Sequence, residues 1–188
     1  METEELIYKV LEYIKKSKKD SFKILDLCTG SGIIAITLKK EIVEKYTEIV
    51  ASDISEKALS IAIENANNNN ANITFIKSDL FDNISEKFDL IISNPPYISY
   101  KDKITIKDNV LNYDPHLALF AEEDGIYFYR KIIENAVHYL SKDGVIFFEI
   151  GYDQKEKILE LGKNNNFITT VYKDINDRDR IAKLIYAK

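Results

Sequence analysis

Residues 22–42 read FKILDLCTGSGIIAITLKKEI, and the fold turns on how this stretch divides. The short apolar run at 22–27 is predicted to be a buried strand, and helical periodicity begins at Ile33. Between them lies the glycine turn Cys28-Thr29-Gly30-Ser31-Gly32. A strand that feeds a glycine turn and then a helix aims backbone NH groups at whatever lies beyond the turn, so an anionic group is held there readily. Gly30 and Gly32 remove the Cβ atoms that would bar a close approach. Asp26 stands at the carboxyl end of the strand, the edge where open α/β sheets bind ligands. The pattern Gly30-x-Gly32-x-x-Ala35 also fits the dinucleotide fingerprint, with Asp53 at the distance of a ribose-holding acid. A purely structural turn accounts for GxG alone. The order strand, turn, helix, strand, acid favours a bound ligand.

Outward from this unit the same alternation continues, predicting an α/β domain whose mostly parallel sheet is covered by helices on both faces. Strands are expected at 47–53, 73–79, 88–93, 145–151, 167–174 and 180–187, giving seven with the first. Helices are expected at 4–16, from 33, at 55–69 with Ser55 as N-cap, at 124–140 and at 153–164. The last two strands, joined by the polar turn INDRD, form an antiparallel hairpin. No internal repeat or linker is visible, and residues 1–188 are expected to form one domain. The irregular connection at 99–123 has a length usually reserved for function.

Composition narrows the function. A 188-residue chain with 45% hydrophobic residues buries about 70% of its unfolded surface and needs no metal or disulfide to stabilise a core. The single cysteine, Cys28, excludes a disulfide framework and fits a reducing compartment. No apolar run is long enough for a bilayer, and the acidic start METEELIYKV is unlike a signal peptide, so a cytoplasmic protein is expected, with no membrane partner. A net charge of -5 argues against direct nucleic-acid binding. His116 and His138 are too few and too isolated for a zinc site, and no metal is expected. Cys28 has no visible base and reads as a small residue in a tight turn.

Two further features carry chemistry. Asp53 closes the second strand, where a carboxylate can accept from both hydroxyls of a ribose; Asp79, after the third strand, could accept from an adenine amino group, with Leu80 or Phe81 against the ring. The fourth strand ends in Asn94-Pro95-Pro96-Tyr97. Proline fixes φ, lacks an NH and pushes Asn94 to an extended conformation. The turn therefore offers oxygen acceptors, the Asn94 side chain and a main-chain carbonyl, beside the flat Tyr97 ring. An amino or amide NH2 on a planar group has a delocalised lone pair, and two acceptors on its hydrogens orient it for methyl transfer. The alternative is a strand-ending turn with tyrosine packed on proline.

On these motifs the chain resembles the catalytic domain of the HemK/PrmC-type protein N5-glutamine methyltransferases. The resemblance rests on ETEELI, ILDLCTGSGIIAI, SDLF, FDLIISNPPYI, DPHLALFAEEDGIYFYRKII, FFEIGYDQ and KDINDRDRIA. It implies the class I, Rossmann-like fold of S-adenosylmethionine-dependent methyltransferases. It also implies S-adenosylmethionine as cofactor, lined by Asp26, Thr29, Gly30, Gly32, Asp53, Ile54, Asp79, Leu80 and Asn94, with S-adenosylhomocysteine as product. Asn94, Pro95, Pro96 and Tyr97 would form the catalytic turn, with Asn94 and Pro95 holding the glutamine amide. The implied partner is a peptide chain release factor, methylated at its Gly-Gly-Gln glutamine, or else a ribosomal protein. The family's helical N-terminal domain is expected to be absent, since the chain begins near the ETE segment. Three rivals remain open at this point: a nucleic-acid amino methyltransferase sharing NPPY, an NAD-dependent dehydrogenase, and a non-catalytic cofactor-binding module.

Overall fold

A computed structural model of the chain describes residues 2–96 and 125–187. The elements run α1 (Glu2–Lys16), β1 (Ser21–Leu27), α2 (Ile33–Glu41), β2 (Tyr46–Asp53), α3 (Glu56–Asn68), β3 (Thr74–Lys77) and β4 (Phe88–Ser93). After the connection come α4 (Tyr127–Ala136), β5 (Leu140–Glu149), α5 (Lys155–Asn164), β6 (Phe167–Lys173) and β7 (Asp179–Tyr186). The sheet has the order β3-β2-β1-β4-β5-β7-β6. The first five strands are parallel, and β7 inserts antiparallel between β5 and β6. The expected seven-stranded sheet with a closing hairpin is what forms.

The period-2 alternation of the central strands sorts side chains onto two cores. Leu25, Leu27, Ile91, Ile146 and Phe148 face one way, against Tyr129, Ile132 and Ile133 of α4 and Ile158 of α5. Ile24, Leu90, Ile92, Val145 and Phe147 face the other way, against Leu6, Val10 and Ile14 of α1 and Ile34 and Leu38 of α2. Burying each of these side chains stabilises by roughly 1.5–3 kcal/mol. Because both faces are covered, the only sheet surface left for chemistry is an edge. The five parallel strands and their turns meet at one carboxyl edge, and β1, at the order reversal between β2 and β4, is the switch point. Among the described residues no helix is long and apolar enough to cross a membrane.

Three expectations need correction. The helix expected at 124–140 occupies Tyr127–Ala136 among the described residues, and β5 begins at Leu140 rather than 145. His138 accordingly lies in the turn after the helix, where its NH donates to the Asn135 carbonyl. The polar segment SKDG reads as a helix stop, yet it is a bulge within β5. Phe88 pairs with Leu140 and Leu90 already with Val145. The bulge is held by the Ser141 hydroxyl on Asp89 Oδ1 at 2.7 Å and by Asp143 at a φ of 66°. At Gly144 a Cβ would lie 3.0 Å from the Phe88 carbonyl oxygen, so only glycine lets the bulge hug β4. The third strand is also shorter than expected, Thr74–Lys77: the Ser78 NH still donates to the Asp53 carbonyl at 3.0 Å, but its hydroxyl donates to the Leu80 carbonyl and the chain turns.

Candidate functional site

At the end of β1 the chain turns with Cys28, Gly30 and Gly32 all at positive φ (60°, 56° and 81°). The two glycines serve different ends. A Cβ on Gly32 would stand 3.1 Å from Ala62 Cβ of α3 and 3.2 Å from Ile36, so this glycine lets α2 and α3 approach each other. A Cβ on Gly30 would meet nothing within 4 Å, so the space there is open. The space over Gly30 is thus open, and Gly32 meets the packing of α2 on α3.

Asp26 is fully buried behind the turn. Its Oδ2 accepts from the Thr29 hydroxyl at 2.6 Å and from the Ala35 NH at 3.2 Å. Gly32, the N-cap of α2, has no side chain to offer, and a carboxylate reaching over from the strand supplies the missing cap. Asp26 Oδ1 is buried with no hydrogen-bond partner. Burial pushes this carboxyl up to about 7, and Asp53 pushes the same way against the lowering effect of Thr29 and Ala35. Thr29, itself buried, is anchored at both ends, its NH donating to the Ser52 carbonyl at 2.9 Å.

Asp53 ties the next turn to this one. Its Oδ2 accepts from the Gly30 NH and its Oδ1 from the Ser55 NH, each at 2.9 Å. An ionised carboxylate has about four acceptor positions, so capacity remains for hydroxyl donors. Ser55 caps α3 as expected, accepting from the Ala58 NH at 3.3 Å. Ile54, beside Asp53, is 38% exposed. Asp79 is exposed after β3, and Leu80 follows at a φ of 44°. Cys28 lies among these acids: burial of its sulfur first, then Asp53, with Asp26 and Asp79 adding, push its thiol up to about 12, which removes it as a nucleophile. The NH groups of Gly30 and Ala35 at the start of α2 are served by the chain's own carboxylates. A diphosphate would find both of those NH groups already taken, which disfavours a dinucleotide.

On the other side of β1, Leu27 pairs with Ser93, whose hydroxyl donates to the Leu27 carbonyl at 2.7 Å. Asn94 and Pro95 therefore leave β4 directly beside the glycine turn. Pro95 is buried and Pro96 exposed. Asn94 Nδ2 donates to the Thr3 hydroxyl at 3.4 Å, and that hydroxyl donates to Glu149 Oε2 at 2.8 Å. Sequence reasoning gave neither Thr3 nor Glu149 a role; the only signal was their presence in the segments ETEELI and FFEIGYDQ that carry the family resemblance. Tyr97, His116 and the connection at 99–123 lie outside the described residues.

The chain matches the family model described as the methyltransferase small domain over residues 8–116. It is 43% identical over 185 residues to a release factor glutamine methyltransferase of Lactococcus lactis, covering 97% of this chain and 67% of the relative. For the proteins of the same name from Streptococcus pneumoniae and Flavobacterium psychrophilum, identity is 48% and 45%, over 85% and 97% of this chain. The chain spans 56% and 65% of those two relatives, so between about half and two thirds of their length. Among solved structures, a methyltransferase from Pyrococcus furiosus superposes with a TM-score of 0.71 at 16% identity, covering 97% of this chain and 83% of that one. The release factor-specific protein-(glutamine-N5) methyltransferase of Alicyclobacillus acidocaldarius gives 0.60 at 21% identity, covering 100% and 93%. At such identities these two likenesses bear on the fold.

Proposed function

The chain belongs to the release factor glutamine methyltransferase family, and from that membership we propose that it methylates the side-chain amide nitrogen (N5) of a protein glutamine, the Gly-Gly-Gln glutamine of a peptide chain release factor. The observation that carries the reading is the Leu27–Ser93 register, which sets Asn94-Pro95 one step from the open space over Gly30. A methyl-donor pocket and an amide-holding turn then share one edge.

The residues present fit S-adenosylmethionine. Gly30 leaves room, Asp53 retains acceptor positions for ribose hydroxyls, and Asp26 keeps one unpartnered oxygen in a buried position. Thr29, Ile54, Asp79 and Leu80 complete the same edge, with Asp79 an acceptor for the adenine amino group. When bound, this cofactor supplies an electrophilic methyl group on a positively charged sulfur. The chain's own contribution is to aim the nucleophile. The glutamine amide nitrogen is a poor nucleophile because its lone pair is delocalised into the carbonyl. Asn94 Oδ1 and the Pro95 carbonyl accept its two hydrogens, hold the nitrogen in line and favour its tetrahedral geometry. Loss of the cofactor's positive charge during transfer is favoured by a dry pocket. No base is needed before attack; the methylated nitrogen would afterwards shed one of its two hydrogens as a proton, and neutral S-adenosylhomocysteine would leave.

The test is transfer of an isotopically labelled methyl group from S-adenosylmethionine to a release factor, beside calorimetric titration with S-adenosylmethionine and with NAD. Binding of S-adenosylmethionine but not NAD, with label on the release factor, is expected. Binding of NAD, or label on DNA or RNA in place of protein, overturns the reading.

A further inference from the structure

We infer that Thr3 and Glu149 are positioning residues that fix which way the Asn94 amide points and strengthen its oxygen as an acceptor; this rests on the reading of Asn94 as a holder of the substrate amide. Glu149 ends β5 and is 3% exposed. Its place is fixed twice: its main chain pairs with Ile181 of β7, and its carbonyl accepts from the hydroxyl of Tyr129, a fully buried side chain of α4. The Thr3 hydroxyl donates to Glu149 Oε2 at 2.8 Å, and that bond commits its one proton. The Thr3 oxygen is then left with lone pairs alone and can only accept from Asn94. That demand selects the amide rotamer in which Nδ2 faces Thr3, at 3.4 Å, and Oδ1 faces away from it. The reverse rotamer would set an acceptor oxygen against an oxygen whose hydrogen is already committed.

The same chain of bonds has an electronic effect. The donors Asn94 NH and Thr3 OH are each polarised by the acceptor that follows, the Thr3 oxygen and then Glu149 Oε2. Electron density is pushed onto Asn94 Oδ1, the atom that receives a substrate hydrogen. The sheet makes this possible because Ser93 pairs with Phe148, which puts Asn94, just past β4, beside Glu149, the last residue of β5. α1 supplies Thr3 from its first turn while Leu6, Val10 and Ile14 dock it on the sheet. An element that is packing along most of its length thereby reaches the site at its start.

The experiment compares Thr3→Val, Thr3→Ser, Glu149→Gln and Asn94→Ala, with thermal melting to confirm folding. Thr3→Val keeps the shape and removes the relay: kcat for methylation of a Gly-Gly-Gln release factor should fall roughly tenfold, with S-adenosylmethionine affinity unchanged. Thr3→Ser should recover most of the loss, and Glu149→Gln should fall between wild type and Thr3→Val. Without any turnover, the 15N-resolved side-chain amide signal of Asn94 should lose its hydrogen-bonded shift in Thr3→Val and keep it in Thr3→Ser. Wild-type kcat with an unmoved Asn94 signal in Thr3→Val overturns the inference, as does an equal loss in Thr3→Val and Thr3→Ser. If Asn94→Ala is as active as wild type, it is the role of Asn94 itself that fails.

Discussion

At the scale of the residue, Asn94 and Asp26 are the two positions where chemistry and structure separate. Asn94→Ala removes the side-chain acceptor but touches nothing that shapes the glycine turn. Turnover should fall by about two to three orders of magnitude, while S-adenosylmethionine affinity by calorimetry stays within about twofold; equal turnover in mutant and wild type would remove Asn94 from the mechanism. Asp26 was legible as a strand-end acid, but its work as the cap of α2 was not, because nothing in the string LDLCTGSG reveals that Gly32 leaves the helix uncapped. Its pKa is raised, chiefly by burial, from an ordinary 3.8 to about 7. The folded state therefore holds a proton that the unfolded state has lost between those values. Stability falls as pH rises through that window and is level above it, by at most about 4 kcal/mol. Asp26→Asn cannot ionise, so its melting temperature relative to wild type should climb between pH 4 and pH 7 and then stop climbing. A difference independent of pH would mean that Asp26 is ionised throughout.

At the scale of the element, the glycine turn and its neighbours give a contrast between two residues of one motif. Gly32→Ala drives a Cβ against Ala62 at 3.1 Å and holds alanine at a φ of 81°; stability should drop by about 1–3 kcal/mol in urea unfolding. Gly30→Ala meets no protein atom and bears only the strain of a positive φ, about 1 kcal/mol. Its methyl points into the open space, so the larger loss should be in cofactor affinity. A Gly30→Ala protein that binds S-adenosylmethionine as wild type does would move the cofactor away from this turn. Strands β1, β2 and β4 were legible to within a residue because each is a buried apolar run closed by an acid or by asparagine and proline. The start of β5 was not, since Ser141-Lys142-Asp143-Gly144 carries the turn signals of a helix stop and bulges reveal themselves only through a partner strand. The β4–β5 bulge answers to Asp89, 52 residues before Ser141 in the chain, and local pattern cannot convey that.

At the scale of the whole molecule, the sheet order β3-β2-β1-β4-β5-β7-β6 converts five separate sequence motifs into one edge. Strand and helix alternation made the α/β class and the closing hairpin readable, and the motifs at strand ends made the glycine turn, Asp53 and Asn94 readable as candidates. The link from α1 to Asn94 through Thr3 and Glu149 was unreadable, because it joins residues 3, 94 and 149, which only the tertiary fold brings together. Two cores, one on each face, fix the sheet between α1 and α2 on one side and α4 and α5 on the other, and so position its carboxyl edge. The central claim is that this edge delivers a methyl group to a glutamine amide nitrogen in a release factor. Tandem mass spectrometry of a release factor incubated with the protein and S-adenosylmethionine reads that directly. The account predicts a single added methyl group on the side chain of the Gly-Gly-Gln glutamine, dependent on Asn94; an unmodified glutamine under conditions where S-adenosylmethionine is bound would contradict it.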